Sequence, residues 1–359
     1  MPRYFTAYLL FLVLPACSAV DNTNRFSCDV SPSARVAAYA ESKSIPGTAA
    51  AIGVRGRLAW SYGYGVADVA TSARVFPAKT MFRIGSTSKA LTAFVLAKLA
   101  QENRLDIDRK IVEFLPELPD VYSDITLRQL AGHLGGIRHY TSMTELGSNV
   151  EYPTTREALE IFINDPLVGS PGEKYVYSTY GFTLIAAVLE AATGKTYLSL
   201  MSEELFAPLN MQHTSADLKS IAVPERTEFY YLNDNGELTI GPEINSSYKY
   251  AGGGFLASVV DLAHFGMGHF DEAVLTPESK SLLWTTQQSI DGANTDYGVG
   301  WFTSDQWVQH PGGALGGSTL LRIYPEEQVV VALAANLSML GSNRFGELPD
   351  QLLGCLAQE

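Results

Sequence analysis

Apolar and polar positions divide this chain into two strand-rich ends around a long helical middle. Residues 29–44 carry a helical pattern closed by Ile45-Pro46-Gly47. Two apolar stretches, Thr48 to Val54 and Leu58 to Tyr64, then flank an Arg55-Gly56-Arg57 turn and predict a hairpin. From residue 86 to about 285 the spacing is mostly helical, with helices predicted at 87–101, 126–132, 155–164, 178–193, 196–206, 258–267 and 276–284. Pro and Gly punctuate this part, and it holds no internal repeat. Strand patterns return at 299–302, 306–308, 319–324 and 328–333, and a last helix is predicted over about 342–357. The expected fold is therefore α+β: one antiparallel sheet built from both chain ends, flanked by N- and C-terminal helices, with a large helical lobe inserted. Residues 29–85 and 293–359 would form the sheet lobe and 86–292 the helical lobe, together one domain.

The lobe boundary falls on Arg83-Ile84-Gly85-Ser86-Thr87-Ser88-Lys89-Ala90-Leu91. A serine and a lysine three residues apart share one helix face, so the amine can reach the hydroxyl. The first turn of a helix also offers unpaired N–H groups to a developing oxyanion. Apolar residues continue almost all round from Ala90 to Leu99, which describes a buried helix, and burial lowers a lysine's pKa toward that of a usable base. A second Ser-x-x-Lys, Ser246-Ser247-Tyr248-Lys249, runs into Ala251-Gly252-Gly253-Gly254, a run unsuited to a helix interior. That glycine run reads either as a site of close backbone packing or as a wall of a cleft.

Composition narrows the function. The 359 residues are 46% hydrophobic and 18% charged, an ordinary globular balance, and the net charge of −13 argues against nucleic acid or an anionic membrane surface as partner. The six histidines form no His-Glu-x-x-His arrangement and there is no Cys-x-x-Cys, so neither metal nor cofactor is expected; His133 and His139 read as structural or surface residues. Arg3, the apolar run from Tyr4 to Leu14 and the small residues after it read as an export signal over residues 1–16, and predict a periplasmic protein. Leu14-Pro15-Ala16-Cys17 resembles a lipoprotein cleavage box, which would put a lipid anchor on Cys17; ordinary cleavage near Ala19 is the alternative. With Cys17 lipidated, Cys28 and Cys355 remain to form a disulfide in an oxidising compartment.

Two further clusters follow Ser86 in order: Ser170-Pro171-Gly172-Glu173-Lys174-Tyr175-Val176-Tyr177-Ser178-Thr179-Tyr180-Gly181 and His310-Pro311-Gly312-Gly313. With these the chain resembles the class C-like branch of the serine beta-lactamase and penicillin-binding superfamily. Within it, His133-Leu134-Gly135-Gly136-Ile137-Arg138-His139-Tyr140, Tyr177-Ser178-Thr179 and the stretch Ser247 to Leu256 are most similar to the mitochondrial serine beta-lactamase-like type. The resemblance implies that Ser86 is the acylated nucleophile and that Lys89 and Tyr177 handle the proton. It implies an oxyanion hole from the backbone N–H groups of Ser86 and Gly313, with Thr179 and Gly312 at the substrate. It puts His310 where many relatives have lysine, bonded near a substrate carboxylate or the Tyr177 hydroxyl. Thr179 stands where much of the superfamily has asparagine, which weighs against efficient beta-lactam hydrolysis. The resulting expectation is a secreted serine hydrolase cleaving an amide or ester, with a small-molecule or peptide substrate. The alternatives are a beta-lactamase or D-Ala-D-Ala carboxypeptidase, and a non-catalytic sensor or self-assembling scaffold.

Overall fold

A computed structural model describes residues 30–339, 341 and 343–356. Helix α1, Pro32–Ser42, opens it, with Ser31 as N-cap and Pro32 in the first turn, where a missing N–H leaves no bond unmade. Strands β1, Gly47–Val54, and β2, Arg57–Asp68, form the predicted hairpin, and β3 is the short Ala73–Arg74. At the other end of the chain come β4, Phe302–Thr303, β5, Val308–Ala314, β6, Gly317–Tyr324, and β7, Val329–Ala335. The sheet runs β3-β2-β1-β7-β6-β5-β4, so the two chain ends meet where β1 pairs antiparallel with β7, Thr48 opposite Ala335 and Val54 opposite Val329. β1 and β7 are buried on both faces, which is why they read as unbroken apolar runs and not as alternation.

The helices that matter for the site are α2, Ser88–Gln101, α3, Thr179–Thr193, α4, Val259–Gly268, and α5, Leu348–Leu356. α1 and α5 cover one face of the sheet, with Val36, Ala40, Leu348 and Leu352 in a core of their own. α4 packs on the other face against β1, β6 and β7, and the main core continues from there into α2 and α3. The inserted part is not purely helical, since its strands Thr214–Ala216 and Phe255–Ala257 form a small three-stranded sheet with Phe82–Arg83, and Tyr230–Leu232 pairs with Leu238–Ile240. The glycine run after Lys249 also departs from expectation, because Tyr250–Gly253 forms one turn of helix. A side chain at Gly252 would lie 2.6 Å from the Thr179 methyl and 2.8 Å from its carbonyl oxygen, so tertiary contact overrides the low helix propensity of glycine. Cys355 in α5 is disulfide-bonded and its Sγ lies 3.7 Å from the Val30 carbonyl oxygen. Cys28 and Cys17, and with them the expected pairing and the lipid site, lie outside the described residues.

Candidate active site

Ser86 sits in a 3-10 turn, Gly85–Thr87, that leads straight into α2. Small hydroxyls clamp this turn under the sheet. Thr87 Oγ1 donates to the His310 carbonyl at 3.1 Å, Thr319 Oγ1 donates to the Ile84 carbonyl at 2.8 Å, and Ser88 Oγ donates to the Gly85 carbonyl at 2.7 Å. Three residues along, Lys89 leans back toward the helix N-terminus, as helical side chains do, and its Nζ comes to 3.2 Å from Ser86 Oγ. Nζ also donates to Thr179 Oγ1 at 3.1 Å and to the Gly252 carbonyl at 2.5 Å. These three partners are all neutral and Lys89 is fully buried. Burial first, and then the charge of Lys249, holds its pKa well below that of an ordinary lysine.

Tyr177 is set by the start of α3. Ser178 caps that helix by accepting from the Gly181 N–H at 3.0 Å, and its own hydroxyl donates to the Arg138 carbonyl at 2.7 Å. Two histidines hold the adjoining backbone: His133 Nδ1 accepts from Ser178 N–H and His139 Nδ1 from Thr179 N–H, each at 3.2 Å. The Tyr177 ring packs on His133 with centroids 4.3 Å apart, and Lys89 Nζ lies 4.8 Å from its centroid. Burial raises the Tyr177 phenol above its usual range, so at neutral pH it carries its proton. Burial and the nearby Lys89 lower His139 to about 4, which matches its role as a neutral acceptor.

A cavity of about 400 Å³ opens over these groups, and Ser86, Tyr177, Thr179 and Gly313 all line it. Two expected members do not. His310 is fully buried behind the wall, its Nε2 3.0 Å from the Tyr297 hydroxyl and its Nδ1 2.9 Å from the Pro311 carbonyl, so it meets neither the cleft nor Tyr177. The reason is the alternation of β5: Pro311 and Gly313 line the cavity, while His310 and Gly312 face the other side of the strand. Gly312 is likewise a packing position, since a Cβ there would lie 1.9 Å from the Ile84 carbonyl oxygen. Thr179 is where it was expected, but its hydroxyl accepts from Lys89.

Among the lining residues that sequence reasoning does not reach are three with a titratable or charged side chain of consequence for the site, His139, Lys249 and Arg344. Lys249 did have a signal, the second Ser-x-x-Lys. Arg344 had none, because only the fold brings its turn beside Gly313, where its guanidinium Nη2 is 2.3 Å from the position of a Cβ built on that glycine. Among the described residues no group of three His, Cys, Asp or Glu could hold a metal ion.

A serine–lysine pair at the head of a buried helix, beneath the edge of an antiparallel sheet closed by both chain ends, defines the beta-lactamase/transpeptidase-like class. The chain belongs to the Beta-lactamase family, whose model matches residues 33–351. Relatives include the human mitochondrial serine beta-lactamase-like protein LACTB, 28% identical over 83% of this chain and 74% of that protein. Penicillin-binding protein 4* of Bacillus subtilis is 25% identical over 78% of this chain and 66% of its own length. Among solved structures, the D-amino acid amidase of Ochrobactrum anthropi has a TM-score of 0.78 at 19% identity, covering 91% of this chain and 98% of that one. An octameric penicillin-binding protein homologue from Pyrococcus abyssi has a TM-score of 0.75 at 22% identity, covering 91% and 77%. At those identities the two structures speak for the fold. Members of the family are serine hydrolases.

Proposed function

We propose that this chain is a serine hydrolase that cleaves an amide or ester through an acyl-enzyme on Ser86. The observation that carries the reading is the buried Lys89 amine, 3.2 Å from Ser86 Oγ and bonded otherwise only to neutral groups. An alcohol attacks a carbonyl only when a base takes its proton, and a lysine deprotonated by burial is such a base. Ser86 Oγ gives its proton to Lys89 Nζ as the carbon–oxygen bond forms. The Ser86 and Gly313 N–H groups are the donors for the oxyanion. Tyr177, held protonated, hands a proton to the leaving group and is resupplied by Lys89, which completes acylation. Water then attacks the ester with the same groups in reverse roles.

The commitment of the Thr179 hydroxyl to Lys89 leaves little for a substrate side-chain amide, which supports amide or ester substrates other than beta-lactams. The export pattern of residues 1–16 and the disulfide-bonded Cys355 support a location outside the cytoplasm. Intact mass after exposure to a fluorophosphonate and, separately, a penicillin tests the nucleophile. The expected result is a fluorophosphonate adduct on the native protein and none on Ser86→Ala. A folded protein that forms no adduct with either reagent refutes the reading, and a persistent penicillin adduct points to a sensor.

A further inference from the structure

A second cavity, of about 1100 Å³ against about 400 Å³ for the catalytic cleft, opens between α1, the β5–β6 turn, the strand Tyr230–Leu232 and the segment that leads into α5. Its wall is mainly apolar, from Met143, Leu232, Leu315, Leu337, Met339 and Phe345. The charged side chains Lys43 and Glu347 are exposed and stand at the rim. Polar groups deeper in are already engaged. The Tyr39 hydroxyl donates to the Arg344 carbonyl, Ser338 Oγ accepts from the Gly316 N–H at 2.6 Å and donates to the Ala314 carbonyl at 3.2 Å, and Arg344 Nε donates to the Met339 carbonyl at 3.0 Å. Such a cavity offers a ligand few directional bonds and much apolar surface to cover.

Three segments carry this space into the catalytic cleft. Leu146 lines the cleft and Gly147 the cavity, Gly313 lines the cleft and Leu315 the cavity, and Arg344 lines both. A Cβ on Gly147 would lie 3.3 Å from Leu315 Cδ1, and the Arg344 guanidinium lies against Gly313, so side chains alone separate the two spaces. Gly313 is also one of the two oxyanion donors. A substrate carbonyl held there sits at the junction, and whatever is attached to it has the apolar cavity beside it.

We propose that this cavity is a subsite for a hydrocarbon chain, and that the substrate is an ester or amide with an unbranched alkyl chain on one side of the scissile bond. The inference rests on the hydrolase reading above and narrows its substrate class. An extended peptide in the same place would bury backbone amides among leucine and methionine side chains, where they lose their bonds to water and find few partners. A hydrocarbon chain has no such cost, and the unbranched Met143 and Met339 side chains adapt to it.

The test is two chain-length series on the full chain: p-nitrophenyl butanoate, hexanoate and octanoate, which lengthen the acyl side, and butyl, hexyl and octyl acetate, which lengthen the leaving group. In one series kcat/KM is expected to rise by about fourfold per added methylene, the yield of burying one CH₂. The series that rises shows which side of the bond carries the chain. Leu315→Trp, which fills the cavity from the β5–β6 turn, should bring the octyl-to-butyl ratio down toward one. Met143→Trp should act in the same direction, and Met143 is 66% exposed, so this variant leaves the core intact if Leu315→Trp does not fold. Calorimetry of 1-octanol and 1-butanol on Ser86→Ala separates the cavity from the chemistry. Octanol should bind more tightly than butanol, with a negative heat-capacity change, and Met143→Trp should weaken it. Octanol binding of this kind without turnover of either series in the native protein upholds the subsite and removes the hydrolase. Turnover with both series flat, a rise that survives in both variants, or a cavity closed to octanol because the chain's own first 29 residues fill it overturns the subsite alone.

Discussion

The two Ser-x-x-Lys stretches both end in buried lysines with lowered pKa values, yet only Lys249 lines the cleft and only the first stretch makes a pair. In the first, Thr87 at φ −57° and Ser88 at φ −54° keep the backbone helical between serine and lysine, and the two side chains meet. In the second, Lys249 at φ −142° and ψ 23° breaks the helical path between the 3-10 turn and the turn that follows. Ser246 Oγ faces Asp217 Oδ2 at 3.3 Å, while Lys249 extends to the Leu146 carbonyl. Spacing along the chain puts two residues on one face only where the backbone stays helical through both. The first stretch is thus built for proton transfer, and the second sets a lone cation beside it.

The comparison breaks most sharply at Lys89. Lys89→Met is expected to lower kcat/KM on an activated amide by about 10²–10⁴-fold, the usual worth of a general base, with an unchanged far-ultraviolet circular dichroism spectrum. Retained turnover would remove Lys89 as the base. Gly312→Ala should come next, because its Cβ would drive β5 off the Ile84 carbonyl; a loss of about 1–3 kcal/mol in urea unfolding, with activity falling alongside, is expected. Thr179→Val deletes one acceptor of Lys89, and kcat should fall about tenfold, as for one hydrogen bond to a charged group.

The pH profile sharpens the assignment. Only neutral Lys89 accepts a proton, so kcat/KM should rise with pH through its lowered pKa and level off well below the ordinary lysine range. In Thr179→Val the ammonium loses a partner, and this limb should move to lower pH. Between the folded and unfolded pKa values of Lys89 the unfolded chain binds the extra proton, so this group makes stability increase as pH rises across that window. Smallest is Ser246→Ala: kcat/KM should stay within about twofold and stability should fall by about 1 kcal/mol for the lost hydrogen bond to Asp217. A large loss of activity would mean that the second stretch is also a working pair.

Much of the frame was legible in the sequence because long elements announce themselves. The buried helix after Ser86 and the unbroken apolar runs of β1 and β7 were read in place. β5 is legible only as far as residue 308, since Pro311-Gly312-Gly313 looks like a break in a strand. It continues to Ala314 because β4 pairs only with Val308 and Gln309, leaving an edge where a proline N–H is not needed. His310 was misplaced for a related reason. A strand's alternation decides which side chain faces the cleft, and the sequence pattern shows no strand there. Lys249 is hard to place from sequence because the glycine run beside it has poor helix propensity, a weak local preference that contact with Thr179 overrides.

By itself, the sequence determined that a serine and a lysine share one face at the head of a buried helix, since both spacing and burial are local patterns of a single element. Only the tertiary structure decided which groups surround that pair. Tyr177, Lys249, Gly313 and Arg344 reach it from four separate segments. The pKa of Lys89, the commitment of Thr179 and the inward turn of His310 depend on which of those segments pack together. Burial and charge are set by neighbours in space, and neighbours in space are fixed only when the chain closes its sheet.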